Sequence, residues 1–191
     1  MRRRQASRSA GWKKWRWNHI NIWGSTTSFD DMSVDSLFAR HGTRFECRRC
    51  GECCGFQVEL APSDVERMSR VDPEVEGRLE LSDPCGHLTI RHRGEAEGRS
   101  TRCVYLDHRC RCSVYDARPS VCMLYPFFPI PASDISDLGI RMPDDAVSLN
   151  LAKTGSKFYV ALDPSCPGCG HGSEVDWQEF KETIESRSLE D

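Results

Sequence analysis

The sequence lacks long apolar runs. Hydrophobic residues make up 38% of its 191 residues and charged residues 29%, so apolar side chains alone would form a thin core for a single domain of this length. No run is long enough for a transmembrane helix. The basic start of the chain also lacks the apolar stretch of a signal peptide, because Lys13, Arg16 and His19 interrupt it. We therefore expect a cytoplasmic protein, in a compartment that keeps thiols reduced.

Acidic residues are absent from residues 1–29, which carry seven Lys or Arg residues and four of the five tryptophans. This stretch predicts a basic, Trp-rich tail, either a disordered arm or an extension from a misassigned start site. Residues 30–191 are expected to hold the domain. They carry 19 basic and 29 acidic residues, a net charge of −10, which argues against a broad nucleic-acid-binding surface on the folded part.

Secondary-structure signals in residues 30–191 are short, and long loops separate them. Pro62 begins an expected helix in which Val65 and Met68 share a face, and "SKFYVALD" alternates as a strand. The other expected elements are a short helix within 30–42, a strand over 56–62, a hairpin of 86–92 with 102–107, a polar connection over 131–145 and a terminal amphipathic helix capped by Ser173. These elements predict a small, loop-rich α+β domain. Because such loops need fixing in a compact domain, we expect metal to staple it.

Although apolar residues are few, the chain contains eleven cysteines. In a reducing compartment, clustered cysteines usually bind metal. Cys47, Cys50 and Cys53 have C-x2-C-x2-C spacing, which lets a chain curl around one ion or cluster, and Gly51 allows backbone angles closed to other residues. Zinc knuckles use the same half-motif. The adjacent Cys53 and Cys54 project in divergent directions, so they suit neighbouring metals, or one cluster and a separate thiol.

A second set of cysteines lies far along the chain. It comprises Cys103, Cys110, Cys112, Cys122, Cys166 and Cys169. Cys166-Pro167 is similar to the end of iron–sulfur ligand runs, whereas the C-x2-C pair of Cys166 and Cys169 also suits zinc. The alternative for these thiols is burial as small apolar groups or pairing in disulfides, and for Cys85 burial is the favoured interpretation.

These residues resemble the YkgJ-like cysteine-cluster family of zinc- or iron-chelating proteins, whose hallmark is C-x2-C-G-x-C-C. The resemblance continues in "CSVYDARPSVCMLYPF" and "CPGCGHG" and spans residues 45–172. It implies eight metal-binding cysteines, namely Cys47, Cys50, Cys53, Cys54, Cys103, Cys112, Cys122 and Cys166. Cys85, Cys110 and Cys169 fall outside the motif. Eight ligands divide into two four-ligand sets, or into one four-ligand cluster with spare thiols.

The family also resembles the cysteine-rich part of flagellin lysine N-methylases, which implies S-adenosylmethionine, methyl transfer and a protein partner. The sequence itself shows neither a glycine-rich nucleotide-binding loop nor a catalytic residue, so enzyme activity stays open. An iron–sulfur cluster of the 4Fe-4S type is the favoured cofactor, because all the expected ligands are sulfur. The alternatives are a structural zinc module that binds a partner, and a metal carrier.

Several aromatic, basic and histidine residues near the cysteines are expected to have structural roles. Tyr115 and Arg118 are expected to fix the turn that presents Cys112 and Cys122, and Arg118 is also able to donate to a cluster sulfur or an anion. Three histidines lie near cysteines in sequence, His87, His108 and His171. We interpret each as a surface residue or as one that contacts a metal ligand, because none has a spacing that commits it to a metal.

Overall fold

The computed structural model describes residues 34–81, 87–93, 102–137, 139–152 and 154–187. The expected tail over 1–29 and the thiol of Cys85 lie outside these residues. In the described part of the chain, no helix combines the length and the apolar character needed to cross a membrane.

The main sheet has three antiparallel strands with β8 (Lys157–Leu162) in the centre, between β6 (Phe127–Pro131) and β7 (Ser148–Asn150). Phe158 and Val160 of β8 are buried, as their alternation predicts. Phe158 lies opposite Pro131 of β6 and Leu149 of β7. The predicted strand is therefore confirmed and organises the largest sheet.

Six further strands form three antiparallel pairs. They are β1 (Arg44–Phe45) with β9 (Ser173–Glu174), β2 (Leu79–Leu81) with β3 (Leu88–Ile90), and β4 (His92–Arg93) with β5 (Arg102–Cys103). The expected pairing of 86–92 with 102–107 is thus reduced to two residues a side, and β3 pairs with β2 instead. The expected strand over 56–62 was wrong: only a single bridge joins Glu59 to Thr89.

The described residues form four α-helices. These are α1 (Pro62–Ser69), α2 (Ser120–Leu124), α3 (Ala132–Asp137) and α4 (Trp177–Arg187). Helix α1 begins at Pro62 as predicted, but α3 lies in the segment expected to be a polar connection. Asp176 caps α4 by accepting from the backbone N–H groups of Gln178 and Glu179, so the cap assigned to Ser173, which lies in β9, was wrong. The predicted α+β class is confirmed.

Two hydrophobic clusters hold most of the core. The sheet cluster includes Phe127, Val160 and Phe180 and joins the main sheet to α4. The hairpin cluster includes Met68 and Tyr105 and joins α1 to the short strand pairs. Cys103 and Cys112 pack against the hairpin cluster, so these two cysteines lie at the edge of this apolar cluster.

Candidate metal centre

The C-x2-C-G-x-C-C segment folds as a tight loop. Gly51 has a φ of +78° and is followed by a 3-10 turn over Glu52–Gly55. A Cβ at Gly51 would lie 3.1 Å from Leu106 Cδ1 and 3.3 Å from Cys110 Cβ. Glycine is therefore required both by the left-handed backbone and by the neighbouring turn. Since Cys110 belongs to that turn, the loop brings distant cysteines towards its own.

A β-turn segment presents Cys103, Cys110 and Cys112. Leu106 and Cys112 form a bridge, and Ser113 N donates to Tyr105 O at 2.9 Å. The turn between Leu106 and Cys112 is organised by Asp107, whose Oδ1 accepts from the N–H groups of residues 109 and 111, each at 2.8 Å. Cys110 takes a positive φ of 58°, which non-glycine residues seldom adopt.

Cys122 lies on α2, and the buried carboxylate of Asp64 fixes the start of this helix. Asp64 Oδ1 accepts from Ser120 N at 2.8 Å and from Ser120 Oγ at 2.5 Å, while Asp64 Oδ2 accepts from Ala61 N at 3.1 Å. Arg67 pairs with Asp64 and also donates to Arg118 O at 2.9 Å. Helix α1 thus holds the segment that carries both Arg118 and Cys122.

Cys166 lies in a loop that Asp163 organises. Asp163 Oδ1 accepts from Ser165 N and Oγ, at 2.9 and 2.6 Å, and Tyr125 Oη donates to Asp163 Oδ2 at 2.8 Å. The loop lies against the start of the first cysteine loop, where the N–H of residue 46 donates to Gly168 O at 3.2 Å. A Cβ at Gly168 would lie only 2.6 Å from the carbonyl oxygen of residue 46. Cys166 and Cys47 therefore come from loops in direct contact.

These four segments surround one cavity of about 80 Å³. Its lining includes Ile90, Tyr105 and Val114 of the hairpin cluster, and Phe45, which packs on the sheet cluster. The cavity therefore lies where both clusters end. Nine cysteines line it, namely the eight expected from the resemblance, Cys47, Cys50, Cys53, Cys54, Cys103, Cys112, Cys122 and Cys166, together with Cys110. Cys169 is not among the lining residues.

Positive charge surrounds this thiol cavity. Arg48, Arg49 and Arg118 line it, whereas the described lining contains no Asp or Glu. The guanidinium carbons of Arg49 and Arg118 lie 4.2 and 4.0 Å from the ring centre of Tyr115, within the range of cation–π contact. Tyr115 thus holds two arginines beside the thiols, which is a larger role than fixing a turn.

Burial favours the protonated form of the cavity thiols. It raises the pKa of Cys103 to about 11 and raises those of Cys112 and Cys122, and the charge of Arg118 opposes the last two shifts. The pKa of Cys53 is raised first by its hydrogen bond with the Cys54 thiol and then by burial. A cation is needed to draw thiolates into such a site, because an uncompensated buried charge is costly.

A family model described as "CxxCxxCC: Putative zinc- or iron-chelating domain" matches residues 46–167. The chain belongs to the CxxCxxCC family. The match covers all nine cavity cysteines, from the first, Cys47, to the last, Cys166. No curated protein and no solved structure matches the chain, so the similarity to flagellin lysine N-methylases stays a prediction.

The CxxCxxCC cavity contains residues that sequence reasoning missed. Cys110 lines it without belonging to the family motif. The histidine that lines it is His92, not His87, His108 or His171; burial lowers the pKa of His92. Asp64 was seen only as a helix residue, although a carboxylate in the first turn, two residues after Pro62, is a recognisable capping signal. The contacts of these residues depend on tertiary structure, which spacing does not encode.

Donor type and enclosure both fit metal in this CxxCxxCC domain. Thiolates bind zinc, copper(I) and iron–sulfur clusters, and the nine thiols face a common space. Within the described residues, however, no three His, Cys, Asp or Glu side chains stand as ligands of one ion. A single bound ion would have to draw the thiols closer together. A cluster of several atoms would instead fill the space between the thiols.

Proposed function

We propose that this CxxCxxCC domain binds an iron–sulfur cluster, of the 4Fe-4S type, among the cavity thiols. The observation that carries the proposal is the donor set, nine cysteines around one space whose described lining has no carboxylate. Hard cations prefer carboxylate and carbonyl oxygen, whereas iron–sulfur clusters are held by thiolates. An all-sulfur lining is what such a cluster needs.

The spacing of the thiols supports a cluster over a single ion. Four sulfurs at about 2.3 Å from one zinc ion would lie roughly 3.8 Å from each other. The cavity of about 80 Å³ is several times the ~15 Å³ that one water needs, and no three side chains of the described part converge on one point. A cluster supplies iron and sulfide of its own to fill such a space.

The chain's own residues would hold the cluster and balance its charge. The most buried thiols, including those of Cys103 and Cys122, must lose protons on binding, and Arg118 favours this because its charge opposes the raised pKa of Cys122. Apolar side chains such as Ile90 and Val114 exclude water from one wall. When bound, an iron–sulfur cluster supplies one-electron redox chemistry.

The test is the metal and sulfide content of protein purified without oxygen, together with its visible spectrum. We expect iron and acid-labile sulfide in comparable amounts. Stoichiometric zinc, with no iron or sulfide even after cluster reconstitution, would refute the proposal. Cys50→Ser should lose metal, whereas the matched variant Cys169→Ser, outside the cavity lining, should keep it.

A structural zinc module is the second candidate. Cys166 and Cys169 form a C-x2-C pair, and their thiols share a hydrogen bond, an arrangement that zinc sites use. A structural zinc protein should unfold when chelators strip it. A metal carrier, which the exposed thiols of Cys47 and Cys110 would suit, should instead give up its metal readily and stay folded.

A further inference from the structure

A short turn on the cavity wall carries an aromatic ring and a guanidinium side by side. Tyr115 begins the 3-10 turn over Tyr115–Ala117, and the N–H of Arg118, the next residue, donates to Tyr115 O at 3.4 Å. The carbonyl oxygen of Arg118 accepts from Arg67 Nη2 at 2.9 Å, so helix α1 holds this backbone. The turn therefore fixes the Arg118 guanidinium carbon 4.0 Å from the centre of the Tyr115 ring.

A second guanidinium reaches the same ring from the first cysteine loop. Arg49 lies between Cys47 and Cys50, and its guanidinium carbon is 4.2 Å from the Tyr115 ring centre. The backbone of Arg49 has a φ of +52°, which residues other than glycine, asparagine and aspartate seldom adopt. Backbone strain of this kind is common at sites that bind ligands. The loop is therefore strained at the residue that brings a second positive charge to the ring.

The two guanidinium groups are close together and lack a counter-charge among the described residues. Because both central carbons lie about 4 Å from one ring centre, they are at most about 8 Å apart. Neither group forms an ion pair within the described part of the chain, and Arg118 Nε is buried there without an acceptor. Arg48, in contrast, lies 3.7 Å from Glu46. Stacking on an aromatic ring stabilises a guanidinium without neutralising it, and it leaves N–H groups at the guanidinium edge for a ligand.

We propose that Arg49, Arg118 and Tyr115 form an oxyanion-binding site at the exposed edge of the thiol cavity, for a small molecule that carries a phosphate or carboxylate group. An oxyanion between two guanidinium groups accepts charge-assisted hydrogen bonds of about 2.8 Å from both. A separation of at most about 8 Å between the two carbons suits one such group. Arg49 is exposed, so the site is open to solvent. Because all three residues line the cavity, the rest of the ligand would reach the thiol-lined space.

The test is calorimetric titration of the anaerobically purified, metal-loaded protein with inorganic phosphate and, separately, with succinate. The buffer contains neither phosphate nor carboxylate, and chloride keeps the ionic strength constant. We expect saturable binding of at least one of the two anions at one site per chain. Binding of phosphate alone would assign the site to phosphate groups, and binding of succinate alone would assign it to carboxylates. If neither anion binds saturably, the proposal is wrong.

Substitutions locate the bound anion. Arg49→Met should weaken binding about tenfold or more, because it removes one of two charged donors. Tyr115→Leu should also weaken binding, although both charges remain, because the ring that holds them together is lost. Tyr115→Phe keeps the ring and should bind like the wild type. So should Arg70→Met, the charge-matched control, which removes an exposed arginine paired with Glu66.

Arg49→Met is the deciding variant. Its side chain is exposed, so this variant should fold even if Tyr115→Leu does not. Anion binding that Arg49→Met leaves unchanged would place the anion elsewhere and overturn the proposal.

The metal content of each variant separates this site from the proposed function. Arg49→Met should keep the metal of the wild type while it loses the anion. Joint loss of metal and anion binding would mean that the charge of Arg49 serves only the metal centre, which would overturn a separate site. An oxyanion that binds to protein containing zinc, without iron or sulfide, would support the site while the cluster is refuted.

Discussion

Arg118 is the charged residue whose position matters most to the buried thiols. Its guanidinium opposes the raised pKa values of Cys53, Cys112 and Cys122, and its contact with Tyr115 keeps it at the cavity wall. Because metal must displace thiol protons, a positive charge that favours thiolates also favours bound metal over protons.

Replacing Arg118 by methionine should therefore weaken metal retention in acid. The pKa values of the three thiols rise when the guanidinium is removed, so protons displace metal at a higher pH than in the wild type. Metal release followed against pH by the cluster or Co²⁺ absorption measures this, and Arg118→Lys should recover part of the shift. Arg70→Met, at an exposed arginine paired with Glu66, is the control. A midpoint that Arg118→Met leaves unchanged would show that the charge is not felt at the metal.

Asp64 gives a second prediction at this scale. Asp64→Asn keeps the shape of the side chain but removes the charge that pairs with Arg67, and it places an amide where two Ser120 donors now bind. We expect a loss of about 2–4 kcal/mol in the free energy of unfolding, measured by urea denaturation.

The matched control for Asp64 lies on the same helix. Glu66→Gln breaks only an exposed ion pair with Arg70 and should change stability by less than about 0.5 kcal/mol. Equal effects of the two substitutions would mean that Asp64 does not anchor α2.

Among the elements, β6 shows why part of the fold escaped prediction. No strand was expected here and residue 131 was assigned to a polar connection, yet Pro129 and Pro131 both lie within β6, which is an edge strand of the sheet. An edge strand tolerates residues that lack an N–H, because half of its backbone groups face away from the sheet. Strand β8, at the centre, needed no such exception, so its alternation predicted it correctly.

The candidate site, like the fold, has one part that local sequence predicts and another part that depends on contacts between distant segments. The spacing of Cys47, Cys50 and Cys53 is local, so the sequence alone predicted a metal-binding loop there. The position of Cys110 beside Gly51, and of Asp64 beside Ser120, arises only when separate segments meet. Family resemblance supplied the remote cysteines, but no spacing rule could supply their neighbours.

The loop that carries Cys166 offers a prediction at the scale of elements. Gly168→Ala would put a Cβ 2.6 Å from a backbone oxygen and 2.7 Å from the ring of Phe45, and the backbone oxygen cannot move without shifting the chain that follows β1. We expect the loop to be displaced, with lower metal content and a loss of stability of about 1–3 kcal/mol. Gly77→Ala is the control, because its Cβ would meet nothing within 4 Å. Normal metal content in Gly168→Ala would show that this loop contact does not position Cys166.

For the whole molecule, the cavity lies at the boundary of two hydrophobic clusters and carries groups that are neutral only while protonated. In the metal-free protein, burial raises the pKa of Cys103 in the cavity, and that of Cys169 outside the cavity lining, from 9.0 to about 11. Above pH 9 the unfolded chain releases these protons while the folded chain keeps them. Stability present below pH 9 is therefore lost as the pH rises towards 11.

We expect the unfolding free energy of the metal-free protein to fall steadily between pH 9 and pH 11, as measured by urea denaturation at a series of pH values. The Cys169→Ser variant should show a smaller fall, because one of the two thiols is gone. Metal-loaded protein should be less sensitive, because its cavity thiols are already deprotonated. An equal fall in wild type and variant would assign the effect to other groups.

The contact between the Cys166 loop and the Cys47 loop also has a consequence for biosynthesis. Ribosomes deliver the chain from its N-terminus, so the thiols from Cys47 to Cys122 emerge well before Cys166. Eight of the nine cavity cysteines have been made once α2 has left the exit tunnel, while the ninth, Cys166, follows with the last loop. A nascent chain therefore cannot close the cavity until the Cys166 loop has been made, and a chain released before that point would leave the other cavity thiols open to solvent.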